Sequence, residues 1–199
     1  LSDPALNEVI ATATADATHD GVANLTVEAL ANYPYPDNFV PEISFYHFGG
    51  VRLSEIKKGE IRRVDILNND PFLSTIYIGE MTPAQMRRFI IDKYNSGTPE
   101  RPDKESHYPY FRSDISYQII LDQSGNATDV KFNLDEERPY RVARGNYIAE
   151  SYIDKDVVSN QLHDTNISVR KAMLNYIENL YEGYTPDNVI YQTEVKPTK

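Results

Sequence analysis

His47-Phe48-Gly49-Gly50-Val51-Arg52 follows directly on Ile43-Ser44-Phe45-Tyr46, an apolar and aromatic run that reads as a short strand. A glycine pair at the C-terminal end of a strand allows close backbone approach, and the arginine that closes the stretch offers one planar positive fork for an anionic group. Two later stretches, Pro71-Phe72 and Gly145-Asn146-Tyr147-Ile148-Ala149, add two separated aromatics able to sandwich a planar ring. The set reads as a ligand cradle without a reactive centre. Taken singly, Gly49 and Gly50 fit an ordinary tight turn, Arg52 a surface arginine, and Phe72 and Tyr147 core packing.

Working outward, residues 5–17 and 20–32 are Ala-rich and predict two helices, with Asp20 capping the second. Pro34 and Pro36 break that pattern. Residues 63–68 predict a helical turn after Lys57-Lys58-Gly59, and 72–81 a strand rich in Ile, Tyr and Thr. Thr82-Pro83, a capping hydroxyl followed by proline at the first helical position, opens a helix bearing Met86, Phe89, Ile90 and Tyr94. Residues 95–107 read as a solvated loop insertion. Residues 116–121 and 128–134 predict a hairpin about Ser124-Gly125-Asn126, 140–144 a third strand, and Ser168 caps a last helix with Val169, Ala172, Met173, Tyr176, Ile177 and Leu180 on one face.

The 199 residues suit one domain, with 1–19 an N-terminal helix in the manner of an interdomain-linker remnant and 183–199 a C-terminal extension. A net charge of -10 argues against a nucleic acid polymer as partner, because phosphate backbones call for a basic face. Cysteine is absent, which excludes disulfides and thiolate chemistry, and no apolar run is long enough to span a membrane. The chain opens at Leu1-Ser2-Asp3-Pro4, which suggests a processed or trimmed product. His19, His47, His107 and His163 show no paired ligand spacing. His163-Asp164 reads as a polar helix end rather than a catalytic pair.

The order of these pieces resembles the C-terminal, substrate-specificity domain of the 5'-nucleotidase family, which includes UDP-sugar hydrolases and 2',3'-cyclic nucleotidases. Ala23-Asn24-Leu25 with Ala29-Leu30 is similar to the family's Gly-Asn-Leu and Ala-Leu, and His47 to Arg52 to its Asn-Gly-Gly-Gly-Ile-Arg loop. Lys58-Gly59-Glu60-Ile61, Pro71-Phe72, Met81-Thr82-Pro83, Ser116-Tyr117 and the run from Tyr140 to Ala149, with one inserted residue, follow in the family's order. The resemblance implies an α+β domain layered α/β/β/α, with helices covering two sheets. It also implies a nucleobase sandwiched by Phe72 and Tyr147, Arg52 on the substrate's charged end, and His47, Gly49, Gly50 and Asn146 around them.

The chain departs from the family at His47, where the family has asparagine, and at Glu150-Ser151-Tyr152-Ile153-Asp154, where it has Gly-Gly-Asp-Gly. The acidic contact to the ribose hydroxyls thus falls to Asp154 or Glu150, or is replaced by a solvated helix end. Arg144 ranks below Arg52 as a further anion contact. The family's two-metal centre belongs to an N-terminal metallophosphatase domain whose Asp-X-His and Gly-Asn-His-(Asp/Glu) runs have no counterpart here, so no catalytic residue, metal ligand or cofactor is assigned to this chain. The expectation is the nucleotide- or nucleoside-recognising part of a split hydrolase acting in nucleotide catabolism, with divalent metals in a separate metallophosphatase chain. Two alternatives are a stand-alone nucleoside-binding module and a scaffold whose site has decayed. The resemblance also implies export, to the periplasm or the cell surface.

Overall fold

Short-range capping signals start the helices of the computed structural model, which describes residues 4–96, 108–151 and 162–195. Helix α1 (His19–Asn32) begins two residues earlier than a cap at Asp20 predicts, because Thr18 is its N-cap, with Oγ1 accepting from Gly21 N. Helix α2 (Arg63–Leu67) is the predicted helical turn, and helix α3 (Pro83–Asn95) carries a reciprocal capping box between Thr82 and Gln85. Helix α4 (Asn146–Ser151) is a short turn, and α5 (Val169–Glu178) is capped by Ser168 as predicted. Of the loop expected at 95–107, residues 97–107 lie outside the described residues, as does Asp154.

The helix expected over residues 5–17 does not form. Val9–Ala13 is strand β1 and Ala17–Thr18 strand β2, preceded by a 3-10 turn at Pro4–Asn7. Strand β1 pairs antiparallel with β5 (Gly59–Arg62), and β2 with β4 (Glu55–Ile56). Val9, Ile10 and Thr12 are β-branched and supply the strand preference that the alanines mask, and a partner some fifty positions away decides the outcome.

The centre of the molecule is a five-stranded sheet. It joins β3 (Ile43–His47), β6 (Thr75–Met81), β7 (Pro109–Phe111), β10 (Tyr140–Gly145) and β11 (Leu162–Ser168) in the order β11-β6-β10-β3-β7. Strands β10 and β3 run parallel, and the remaining neighbours antiparallel. Helices α1 and α5 cover one face, burying Val22, Leu30, Met173 and Ile177 against Ile76, Ile78 and Ala143. The opposite face presents Ile43, Phe45 and Val142 to α3 and to a three-stranded sheet of β8 (Tyr117–Leu121), β9 (Ala127–Phe132) and β12 (Gln192–Val195). Phe45 and Phe111 stack at 4.6 Å in this second core. Each such side chain contributes roughly 1.5–3 kcal/mol on burial, so two opposed cores hold the central sheet between them.

Strands β8 and β9 form the predicted hairpin, whose turn Asp122 closes by accepting from Ser124 N and Asn126 N. The third strand predicted over 140–144 is β10, and it lies in the middle of the five-stranded sheet. The place beside β8 is taken by β12 from the 183–199 stretch. That stretch is also latched to α1: Asn24 Nδ2 donates to Asp187 O and Val189 O, and Tyr184 Oη donates to Gly21 O. Among the described residues, no helix is long and apolar enough to cross a membrane.

Candidate functional site

Strand polarity brings the cradle together. Strands β3 and β10 run parallel, so their C-terminal ends, His47 and Gly145, lie at one end of the sheet. Strand β6 is antiparallel to β10 and places its first residues at that same end, with Gly145 opposite Ile76. Three connections therefore emerge side by side: His47 to Arg52, Asp70 to Ser74, and Asn146 to Tyr147.

The first is a 3-10 turn, Phe48–Gly50, buttressed from behind by His19, whose ring lies 4.4 Å from Phe48 and whose Nε2 is 3.1 Å from Val51 O. Neither Gly49 nor Gly50 has a positive φ, so the turn does not need glycine for its backbone conformation. The need at Gly50 is internal. A Cβ there would stand 2.5 Å from both the Tyr46 and His47 rings, whereas at Gly49 the nearest atom is 3.9 Å away. Gly49 is thus the open position of the pair.

Arg52 leaves the turn with its side chain exposed. Its backbone is pinned by Asn69, fully buried, whose Oδ1 accepts from Arg52 N at 3.1 Å and Leu53 N at 3.2 Å. The same amide donates to Thr26 Oγ1 on α1. Three residues on stands Phe72, and the Arg52 guanidinium lies 5.6 Å from its ring centroid. The strand predicted from residue 72 starts only at Thr75, because Asp70 caps an intervening turn: its carboxylate accepts from Ser74 N at 2.8 Å and Ser74 Oγ at 3.0 Å. Phe72 and Leu73 are consequently held out in solvent, 64% and 59% exposed.

Asn146 opens α4 and Tyr147 follows, 40% exposed and tilted over His47 at 4.5 Å, with Lys93 Nζ of α3 5.7 Å from its ring. His47 is buried, its Nδ1 has no hydrogen-bond partner among the described residues, and burial together with the Lys93 charge lowers its pKa to about 3. It therefore stays neutral and acts as an aromatic support beneath Tyr147. The unfolded imidazole takes up a proton near pH 6.5 and the folded one only near pH 3. This group's contribution is accordingly complete above pH 6.5 and is lost as the pH falls. Native protein is expected to lose about 2 kcal/mol more stability than His47→Phe between pH 7 and pH 5; parallel urea-denaturation curves across that range would contradict the assignment.

Phe72, Tyr147, Arg52, His47, Gly49, Gly50 and Asn146 thus share one sheet end. Arg144 does not join them: its side chain is fully buried, with the guanidinium 5.7 Å from the Phe45 ring in the second core. His163 and Asp164 lie on β11, not at a helix end, and Asp164 is spent accepting from Thr75 Oγ1 and Asn166 N. Among the described residues, no three His, Asp or Glu side chains converge as metal ligands do. The residues that sequence reading missed are the supports Tyr46, His19, Asn69 and Asp70. Of these only Asn69-Asp70 before Pro71 carries a local signal, that of an Asx turn.

The molecule is an α+β domain with exposed aromatics and an arginine gathered at one end of its central sheet. The chain belongs to the 5'-nucleotidase C-terminal domain family, whose sequence profile matches residues 4–154. Solved structures agree on the fold. A 5'-nucleotidase precursor from Thermus thermophilus superposes with a TM-score of 0.70 at 18% identity, over 94% of this chain and 39% of its own. NAD nucleotidase from Haemophilus influenzae gives 0.75 at 14% identity, over 98% and 39%. The sulfate thiohydrolase SoxB of Thermus thermophilus gives 0.67 at 15% identity, over 96% and 36%. The chain thus spans about two fifths of the length of these structures. No curated protein matches it.

Proposed function

We propose that this chain is the nucleotide- or nucleoside-recognising unit of a 5'-nucleotidase-type hydrolase acting in nucleotide catabolism, exported to the periplasm or cell surface. Phosphate-ester cleavage is supplied by a two-metal phosphatase unit outside these 199 residues, a separate chain in this reading. The observation that carries the proposal is the pair of solvent-exposed aromatics, Phe72 and Tyr147, gathered at one sheet end of a family domain with Arg52 5.6 Å from the Phe72 ring. A planar base stacks on the rings, and the guanidinium takes the phosphate or ribose side. Fold alone does not decide the substrate, since SoxB shares it.

Titration calorimetry with adenosine, AMP and UDP-glucose tests the reading. Native protein is expected to bind at least one of them in the micromolar range, and Phe72→Ala to lose about 1–3 kcal/mol, roughly 5- to 150-fold. Heat traces indistinguishable from buffer for all three ligands would remove the proposal. Adding a two-metal phosphatase chain from the same genome is expected to raise nucleotidase activity above that of the phosphatase alone; an unchanged rate would dismiss the separate-chain arrangement.

A further inference from the structure

Leu73 has a backbone φ of 57°. The other non-glycine residues with positive φ among those described are Asp37, Asn38 and Asn166, whose short polar side chains tolerate the left-handed region. Leucine has no such tolerance, because its Cβ crowds the following carbonyl there. The conformation is imposed from both sides. Pro71 fixes its own φ, and Ser74 is held by the Asp70 carboxylate through its N–H and hydroxyl and by Val169, whose N–H donates to Ser74 O. The turn is left to Leu73.

Glycine or asparagine would be the relaxed residue at this position. Nor does the core explain leucine, since 59% of it faces solvent. An apolar side chain kept in a strained conformation and out of the core, next to an exposed aromatic, matches the pattern of strain held at binding sites. We propose that Leu73 is a ligand-contacting, specificity-determining residue that extends the apolar platform of Phe72, and that it favours purine over pyrimidine nucleosides. This rests on the nucleoside-binding reading given above. The preference follows from area: a two-ring base covers both Phe72 and Leu73, whereas a one-ring base is accommodated by Phe72 alone.

The test measures adenosine and cytidine affinity and thermal stability for the native chain, Leu73→Gly, Leu73→Ala and Phe72→Ala. Leu73→Gly removes both strain and side chain, while Leu73→Ala keeps the Cβ and its strain but removes the contact. Both are expected to weaken adenosine at least about fivefold, as loss of one apolar contact implies, with a smaller effect on cytidine, so that the purine preference contracts. Leu73→Gly is expected to melt at or above the native temperature. Native adenosine affinity in both variants, or a loss in only one of them, would overturn the role of Leu73 while Phe72→Ala still reports a working clamp. If the native chain binds neither nucleoside, this inference fails, while the AMP and UDP-glucose titrations decide the reading beneath it; if Phe72→Ala binds as well as native, that reading fails and this inference with it.

Discussion

Gly145→Ala is expected to destabilise the protein by about 3 kcal/mol, the upper end of the usual cost of overpacking. A Cβ at this position would lie 2.6 Å from Cε2 and 3.1 Å from Cδ2 of Tyr46. Such a clash is mild where the ring has room to move. Here it has none, because Tyr46 is fully buried and a Cβ at Gly50 would stand 2.5 Å from its opposite edge, Cε1. The ring is wedged between the first loop of the site and the root of the third, so the damage spreads to both His47 and Tyr147. Urea denaturation of the single variants measures the cost. The double variant Tyr46→Leu with Gly145→Ala is expected to recover part of it, since the smaller side chain leaves room for the new methyl. Strict additivity of the two changes would show that the wedge is not what demands glycine.

That wedge marks the limit of what the sequence disclosed. Where a signal is local, sequence and structure agree: Thr82-Pro83 starts α3, Ser168 caps α5, and Ser124-Gly125-Asn126 turns the β8–β9 hairpin. Where the deciding partner is remote, they part. Residues 5–17 carry helix-forming alanines, but β5 and β4 recruit them into strands; the pairing of β10 with β3, nearly one hundred positions earlier, likewise has no local signal. The candidate site divides in the same way. Phe72, Arg52 and Tyr147 were visible as residue types at characteristic places. Asn69 pinning Arg52, His47 beneath Tyr147 and the inner reason for Gly50 depend on contacts that no spacing rule encodes. The αL backbone of Leu73 was also invisible, because leucine advertises no turn.

Arg144→Met is expected to stabilise the protein by about 3 kcal/mol, in the range found when buried charges give way to well-packed apolar residues. Arg144 Nε, Nη1 and Nη2 are buried without a hydrogen-bond acceptor among the described residues, and its charge faces the Phe45 ring at 5.7 Å. Burial lowers its pKa to about 9, which still leaves the guanidinium protonated at neutral pH, so the folded state carries a desolvated cation there. Methionine follows a similar path with an unbranched, adaptable side chain and leaves no donor unsatisfied. Chemical denaturation is expected to show a raised midpoint with an unchanged slope, and nucleoside affinity to stay native, because the guanidinium is fully buried against Phe45 and out of reach of solvent. A lowered midpoint would mean that the guanidinium is paired in solution. A lost affinity with intact stability would return Arg144 to the anion-contacting role that its place beside Tyr147 in the sequence first suggested.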